Sequence, residues 1–505
     1  MSAIPTATMA SPPPLSLRKR HLLPCTIAFA VALLISGCAV GPDYVVPKMD
    51  LPATYKEQGP WKVAEPGQID SNHRWWEAYH DSVLNDLIEQ AGKANQNLRL
   101  AEAQYRQSQA AASLARASLW PTAGVSTGFS RAQTDSYGSL HLVNNPTIGL
   151  SASWEPDIWG AVRRSVESGD ASAQAGAATL AAARLSIQAT LAQDYLQLRV
   201  TDLQKDLYVR TVAAYQRSLA LTQHQYAAGV ALRSDVAQAE TQLLTAQAQL
   251  IDLDATRNQL EHAIAILVGK APASFTLEPV KPDAAALQAS MPVIPTGLPS
   301  DLLERRPDIA NAERLAAAAN ANIGVARSAY FPALTLGATG GYSSFAYGQL
   351  FDVPSRVWSL GASLAATLFD GGARSARTDQ ANATFDGAVA TYKQTVLGGL
   401  QEVEDNLSTL RVLDQESQTQ ERAVQAARLA ERLALSQYAA GTVTFVTVAT
   451  AQATALTNER TAAQLLGRQL VASVALIKAT GGGWHASEMS NTAAATAAQP
   501  AASTN

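Results

Sequence analysis

Three groups of residues in this sequence are of types that could do chemistry. Cys38 closes the run Ile35-Ser36-Gly37-Cys38, which follows the basic cluster Arg18-Lys19-Arg20 and the apolar stretch Leu22 to Ile35. That order is the pattern of a bacterial lipoprotein signal, in which cleavage before the cysteine frees its sulfur to carry lipid. An ordinary signal peptide with an incidental cysteine is the alternative. The placement of Cys38 where the cleavage residues should be favours the lipid. The apolar stretch has only 14 residues, too few to span a bilayer as a helix. The second group, Gly124-Val-Ser126-Thr-Gly128, matches the G-x-S-x-G pattern of a nucleophilic serine, but alternating residues continue after it where a helix should start. The third group is the histidines. All seven are scattered, none lies in H-E-x-x-H, and His73 and His80, which flank Trp75 and Trp76, are spaced as structural histidines usually are. With no phosphate loop or dinucleotide fingerprint either, no catalysis, cofactor or metal is expected, and energy for any work must come from a partner.

Composition narrows the class. Net charge is −4 with 16% charged residues, which leaves no basic field for nucleic acid. Cleavage would remove Cys25 and leave Cys38 alone, so no disulfide could form within the chain. Aromatics make up 6%. The helical stretches are rich in Ala, Gln, Ser and Thr, which allow close helix approach while keeping one side wet.

The elements that must position these residues come in duplicate. Arg116-Ala-Ser-Leu-Trp120-Pro121 recurs as Arg327-Ser-Ala-Tyr-Phe331-Pro332, and Gln225-Tyr-Ala-Ala-Gly229 recurs as Gln437-Tyr-Ala-Ala-Gly441, at offsets of 211 and 212. Short coincidences would not keep register across a hundred residues, so each half builds the same unit. The organisation predicted is a signal over 1–37, an extended strap over 38–80, a first repeat over 81–269, a Pro-rich connector over 270–300, a second repeat over 301–483 and a disordered tail over 484–505.

Within the first repeat a helix is predicted from Asp81 to Ser118. Two strands follow around Val125/Thr127/Phe129 and Ile148/Leu150/Ala152/Trp154, with a polar loop from Asp135 to Pro146 between them. The second repeat offers a helix over 305–328 and strands at Leu334/Leu336/Ala338 and Trp358/Leu360/Ala362/Leu364. Residues 161–229 and 373–441 read as very long helices, about 100 Å each at ~1.5 Å per residue. Their apolar seams are Leu191, Tyr195, Leu198, Val209, Val212, Leu219 and Tyr226 in one, and Phe385, Val389, Tyr392, Val396, Val403 and Leu410 in the other. Helices from about Ser234 to Leu267 and Val446 to Lys478 return.

Nothing in the sequence is evidently meant to cover the strand pairs. Trp120, Trp154, Trp159, Tyr330, Phe331 and Trp358 cluster at strand ends, as in the aromatic girdle of a membrane barrel. Four strands cannot close a barrel, and open edges are not tolerated in lipid. Three copies would give twelve strands and a wide lumen, whereas two would give eight and a filled interior. The expected fold class is therefore an α+β membrane protein: a trimeric twelve-stranded outer-membrane β-barrel continued by a long α-helical barrel. A coiled-coil rod would explain the helices equally well but not the strands or the anchor.

The sequence resembles the TolC-like outer membrane factor family, in its lipoprotein efflux branch. The resemblance is carried by Cys38 followed by Gly41-Pro42-Asp43-Tyr44, by Arg74-Trp75-Trp76-Glu77, and by Trp154-Glu-Pro-Asp157-Ile-Trp159-Gly160. Leu302-Leu-Glu-Arg-Arg306-Pro307-Asp308-Ile309 and Phe369-Asp370-Gly371-Gly372 complete it. It implies a homotrimeric, passive exit duct for drugs or other small amphipathic compounds, lipid-anchored through Cys38 in the outer membrane and extending into the periplasm. It also implies two partners, a periplasmic adaptor protein and an inner-membrane pump of the resistance-nodulation-division type. A duct for type I protein secretion is the alternative. By the same resemblance the two helix turns form a periplasmic tip where the adaptor docks, involving Tyr226, Gly229, Asp235, Tyr438, Gly441 and Thr447. The family's acidic residue on the second returning helix is missing, so Val446, Val448 and Thr450 are the expected pore constriction.

Overall fold

The computed structural model describes residues 39–57, 74–136, 139–279, 283–292, 294 and 299–487. The signal, Cys38 and most of the expected tail lie outside the described residues. The helices are α1 (Ser82–Ala94), α2 (Gln96–Ala117), α3 (Ala161–Ala227), α4 (Arg233–Leu267), α5 (Ala284–Ala289), α6 (Leu302–Arg305), α7 (Pro307–Ser328), α8 (Ala373–Ala439) and α9 (Phe445–Ala479). The strands are β1 (Thr122–Ser136), β2 (Ser139–Trp154), β3 (Ala333–Ser343) and β4 (Arg356–Ala365). Two compact units result. One comprises the described residues up to Asp43 with Leu114–Ser168 and Asn320–Asn382; the other holds Tyr44–Ser113, Gly169–Ala319 and the described residues from Ala383 on.

The first unit is built on one antiparallel sheet in the order β1-β2-β3-β4. Its register puts Val125 opposite Leu150, Leu150 opposite Gly340 and Gly340 opposite Trp358. Because side chains alternate along a strand, that row fixes the two faces. One carries Val125, Phe129, Ile148, Leu150, Leu334, Leu336, Trp358, Leu360 and Leu364; the other carries Ser126, Gly128, Ser151, Ser153, Thr335, Thr339, Ser359 and Ser363. On the apolar face Val125 is 73% exposed, Leu150 66% and Leu360 75%. The expected polar loop from Asp135 to Pro146 is largely strand: ladder pairing runs from Thr122↔Ser153 to Ser136↔Ser139. Ser139 and His141 alternate with Leu140 and Leu142 there, and pairing overrides the loop propensity of the polar residues.

Around the base of the sheet the N-terminal strap is tightly held. Val40 N–H donates to the Trp159 carbonyl at 3.0 Å. The buried Arg164 guanidinium donates to the carbonyls of Val40 (3.3 Å) and Gly41 (3.4 Å) and to the Asp43 carboxylate (2.8 Å). Gly41, at φ 111°, lies so close to Gly324 that a Cβ would come within 2.5 Å of its Cα.

The second unit holds the largest apolar core. Asp81 caps α1 by accepting from Val83 and Leu84 N–H, and its other oxygen accepts from the Tyr195 hydroxyl at 2.8 Å. The single helix expected from Asp81 to Ser118 is divided at Asn95. There the backbone turns extended (ψ 126°), and the buried amide accepts from Leu98 N–H while donating to the Leu267 carbonyl. Tertiary bonding to the end of α4 thus interrupts the helix. The connector is partly structured, since Asp283 caps α5 and buries Leu287. The expected disordered tail begins as packed chain: Trp484 is buried with Ala178 and Ala310, and Ala486 N–H donates to the Glu304 carbonyl at 2.8 Å.

The seam of α8 is as expected at Tyr392, Val396, Val403 and Leu410, all buried. That of α3 differs. Leu191, Tyr195 and Leu198 are buried, but Val209 is 52% exposed and the buried positions become Thr201, Tyr208, Tyr215 and Thr222. The threonines fit because each hydroxyl donates to the carbonyl four residues back, Gln197 and Ser218, and so is satisfied within its own helix. Beside this seam, Arg257 and Asp202 form a buried ion pair at 2.8 Å, with Glu261 and the Leu277 carbonyl completing the guanidinium's partners.

Substituting Arg257→Met leaves Asp202 charged and unpaired in the core. A loss of about 3–5 kcal/mol is expected in denaturant unfolding of the detergent-solubilised protein, followed by helix circular dichroism, whereas the joint change with Asp202→Leu recovers most of it.

Candidate functional site

The candidate site is the pair of reversals joining α3 to α4 and α8 to α9. Both ends use one device. Gly229 N–H donates to the Tyr226 carbonyl and Val230 N–H to Gln225; Gly441 N–H donates to Tyr438 and Thr442 N–H to Gln437. These are Schellman caps, which need a left-handed residue after the helix, and Gly229 and Gly441 have φ of 75° and 74°. Beyond the adjoining residues, nothing lies within 4 Å of a Cβ built at either glycine, so backbone conformation alone demands them.

The returning helices begin differently. At α4 the Asp235 carboxylate reaches back to accept from Leu232 N–H at 3.1 Å. At α9 the residue in that place is Thr447, and no side chain caps Thr444. The acidic residue of the first turn is thus a helix cap, which favours the adjoining N-terminus by hydrogen bond and by charge.

A small apolar core ties the turns together. Tyr438, Phe445, Val448, Ala449, Ala434 and Ala239 are buried in one cluster, with Tyr438 and Phe445 in edge contact at 5.5 Å. Around it Gln225 Nε2 donates to the Tyr438 carbonyl (3.3 Å), the Tyr438 hydroxyl to Thr222 Oγ1 (3.3 Å) and Gln242 Nε2 to the Ala449 carbonyl (2.8 Å). The buried Gln452 amide donates to Ser218 Oγ at 2.9 Å. These glutamines bridge helices, a role that sequence reading missed because composition marks Gln only as wet helix surface.

Two expected site residues are placed otherwise than predicted. Val448 is fully buried and so is not free to line a lumen; Tyr438 is 5% exposed and so is not a docking surface. Val448 sits on the α9 face shared by Phe445, Ala449 and Gln452, the 3-and-4 spacing that turns a side chain toward its partner helix, and Tyr438 meets that face from the end of α8. Val446 (59% exposed), Thr447 and Thr450 lie on the opposite, open face of α9, and Tyr226 (47%), Val230 (71%) and Leu232 (69%) are exposed around the first turn. Further along α8, burial first and the Glu459 carboxylate second push the Glu431 carboxyl above its ordinary range, with Arg428 and Arg432 opposing. This acid therefore holds a proton more readily than an exposed one.

An open sheet with a lipid-facing pattern, duplicated with long helices that end in matched turns, invites comparison with known proteins. The profile described as outer membrane efflux protein matches residues 87–270 and 298–482, the two repeats. The chain belongs to the outer membrane efflux protein family. It is 31% identical over 474 residues to the pyoverdine export outer membrane protein OpmQ of Pseudomonas aeruginosa, covering 90% of this chain and 96% of that one. It is 30% identical over 468 residues to the toluene efflux pump outer membrane protein TtgC of Pseudomonas putida, covering 90% and 94%. Among solved structures the outer-membrane channel OprN superposes with a TM-score of 0.81 at 30% identity, covering 88% of this chain and all of that one. This outer membrane efflux protein accordingly has the α+β fold of the outer-membrane channels.

Removing the cap of the first turn should loosen it locally. With Asp235→Ala, amide exchange at Leu232–Val236 is expected to speed up by the equivalent of about 1 kcal/mol. Thr447→Asp, which supplies the second turn with the acceptor it lacks, is expected to slow exchange at Thr444; hydrogen-exchange mass spectrometry reads both.

Proposed function

We propose that three copies of this chain form the passive exit duct of a tripartite efflux system for drugs or other small amphipathic compounds. The observation that carries the reading is the sheet. One face is exposed and apolar, the other is lined by Ser, Thr and Gly, and the ladder has two free edges, β1 and β4. In hydrocarbon each unpaired backbone group costs several kcal/mol, so the edges must be joined. Three sheets supply twelve strands with the apolar faces outward and a polar wall within.

The strap supports a lipid anchor on Cys38. Ala39 and Val40 are fixed against Gly160 and Trp159, where a Cβ on Gly160 would fall 2.7 Å from that of Ala39. An acyl group on the preceding residue would therefore start beside the N-terminus of α3. A proton-driven inner-membrane pump supplies the energy in this reading. The adaptor meets the turns on their open surface, formed by Tyr226, Gly229, Asp235, Gly441 and Thr447. Val446 and Thr450 narrow the closed pore. A wall of small polar residues selects weakly, so the pump chooses the cargo. Relatives named for pyoverdine export and for toluene efflux fit one duct serving different cargoes.

Deleting the gene should lower resistance to several unrelated compounds; loss of one exported protein instead would favour secretion. For the purified protein in planar bilayers, Val446→Asp is expected to change single-channel conductance at unchanged stability. Val448→Asp, which places a charge in the turn core, should instead lower stability by several kcal/mol. Unaltered conductance in the Val446→Asp channel would remove this residue from the constriction.

A further inference from the structure

The free edges of the sheet repeat the pattern of its central seam. By the duplication β1 corresponds to β3 at an offset of 211, since Trp120-Pro121 matches Phe331-Pro332. The pairings place β2 on β4 at 212: Leu150 stands opposite Val125, and Ala362 stands opposite Leu336. The central seam joins β2 to β3 with Ala152 opposite Ala338 and Leu150 opposite Gly340. Carried one repeat onward, the same rule pairs β4 with β1 of another copy.

We propose that neighbouring copies join with Leu364 opposite Thr127 of the next copy and Ala362 opposite its Phe129. This inference rests on the trimeric reading and specifies its seam. The faces agree, because Leu364 and Ala362 belong to the same sheet face as Thr127 and Phe129. A slip by one residue would put Leu364 into the Ser/Thr wall, so only even slips compete.

Orphaned apolar side chains stand at the end where this pairing brings the chains together. Trp120, just before β1, is 73% exposed; Leu368 and Phe369, just after β4, are 94% and 89% exposed. At the corresponding end of the central seam the space is filled from within the chain. Trp159 stacks on Phe331 with centroids 4.7 Å apart and donates to the Pro332 carbonyl at 2.7 Å. Trp120-Pro121 is the repeat counterpart of that seat; Trp154 Nε1 donates to the adjoining Leu119 carbonyl at 3.1 Å, but among the described residues no ring stacks on Trp120 as Trp159 does on Phe331. Leu368 and Phe369 of the adjoining copy are the apolar side chains placed to fill it. Phe369 precedes the helix-capping Asp370 whereas Trp159 follows Asp157, so the ring enters from the other side of the cap.

The copy is not exact along its whole length. Gly341 has room only for hydrogen, since a Cβ there would meet the Ile148 carbonyl oxygen at 2.2 Å. Its counterpart in β1 is Ser130, so the strict register belongs to the Trp120 end and the strands part from Ser130 onward.

The test is cysteine cross-linking in the full-length lipidated protein. Leu364→Cys with Thr127→Cys should oxidise to a covalent trimer about as efficiently as Ala152→Cys with Ala338→Cys, its repeat counterpart, closes within one chain. Leu364→Cys combined with Val125→Cys or Phe129→Cys, the nearest face-preserving slips, should link several-fold less. Native mass spectrometry of each variant reports the assembly independently. Trimers that link best at a shifted pair, or at none while the intrachain control closes, overturn the register but leave the trimer standing; a native mass other than a trimer's overturns the assembly itself.

Discussion

Backbone amides and carbonyls in hydrocarbon have no water to bond, and that constraint governs the rest of this molecule. The four strands satisfy one another internally and leave one row of donors and acceptors on β1 and another on β4. Alternation then does two jobs with one sequence. Val125, Leu150, Leu336 and Leu360 make a surface that lipid can wet, while Ser126, Ser151, Thr339 and Ser363 make one that water can. Among the described residues of the sheet's own unit no second layer covers either surface, and only the rings of Tyr347 and Phe351 rest on Phe129 and Tyr342; in a soluble sandwich the apolar face would be packed.

Duplication explains both the economy of the chain and its departures from symmetry. The two Schellman turns are alike down to the carbonyls of Gln225 and Gln437 that receive the reversing N–H groups. The differences lie where one repeat must meet something the other does not. Asp235 caps α4, and Thr447 stands in its place on α9. Phe331 is covered by Trp159 from the same chain, and its counterpart Trp120 is bare.

Much of this was legible in the sequence because periodicity and punctuation carry it. The glycines at 229 and 441 end helices within two residues of the predicted points, and Asp81 marks a start through its cap. What was not legible depends on tertiary partners. Asn95 breaks a helix only because the Leu267 carbonyl is there to receive its amide. Thr201 and Thr222 enter the α3 seam because their hydroxyls turn back on their own helix, with Thr222 also accepting from Tyr438, so a polar letter hides a buried position. Val446 and Val448 are indistinguishable as letters; two positions on a helix separate by about 200° at 100° per residue, and packing against Phe445 and Tyr438 decides which is hidden.

The grip of Arg164 on the strap sets how freely an acylated N-terminus could roam. Val40, Gly41 and Asp43 are clamped to the base of the sheet, so in the proposed anchor a lipid on Cys38 would hang from a leash of one or two residues. So short a tether allows little tilt or rotation. In the proposed assembly, folded copies so anchored would share one depth before their sheet edges met, and their search for neighbours would run in two dimensions.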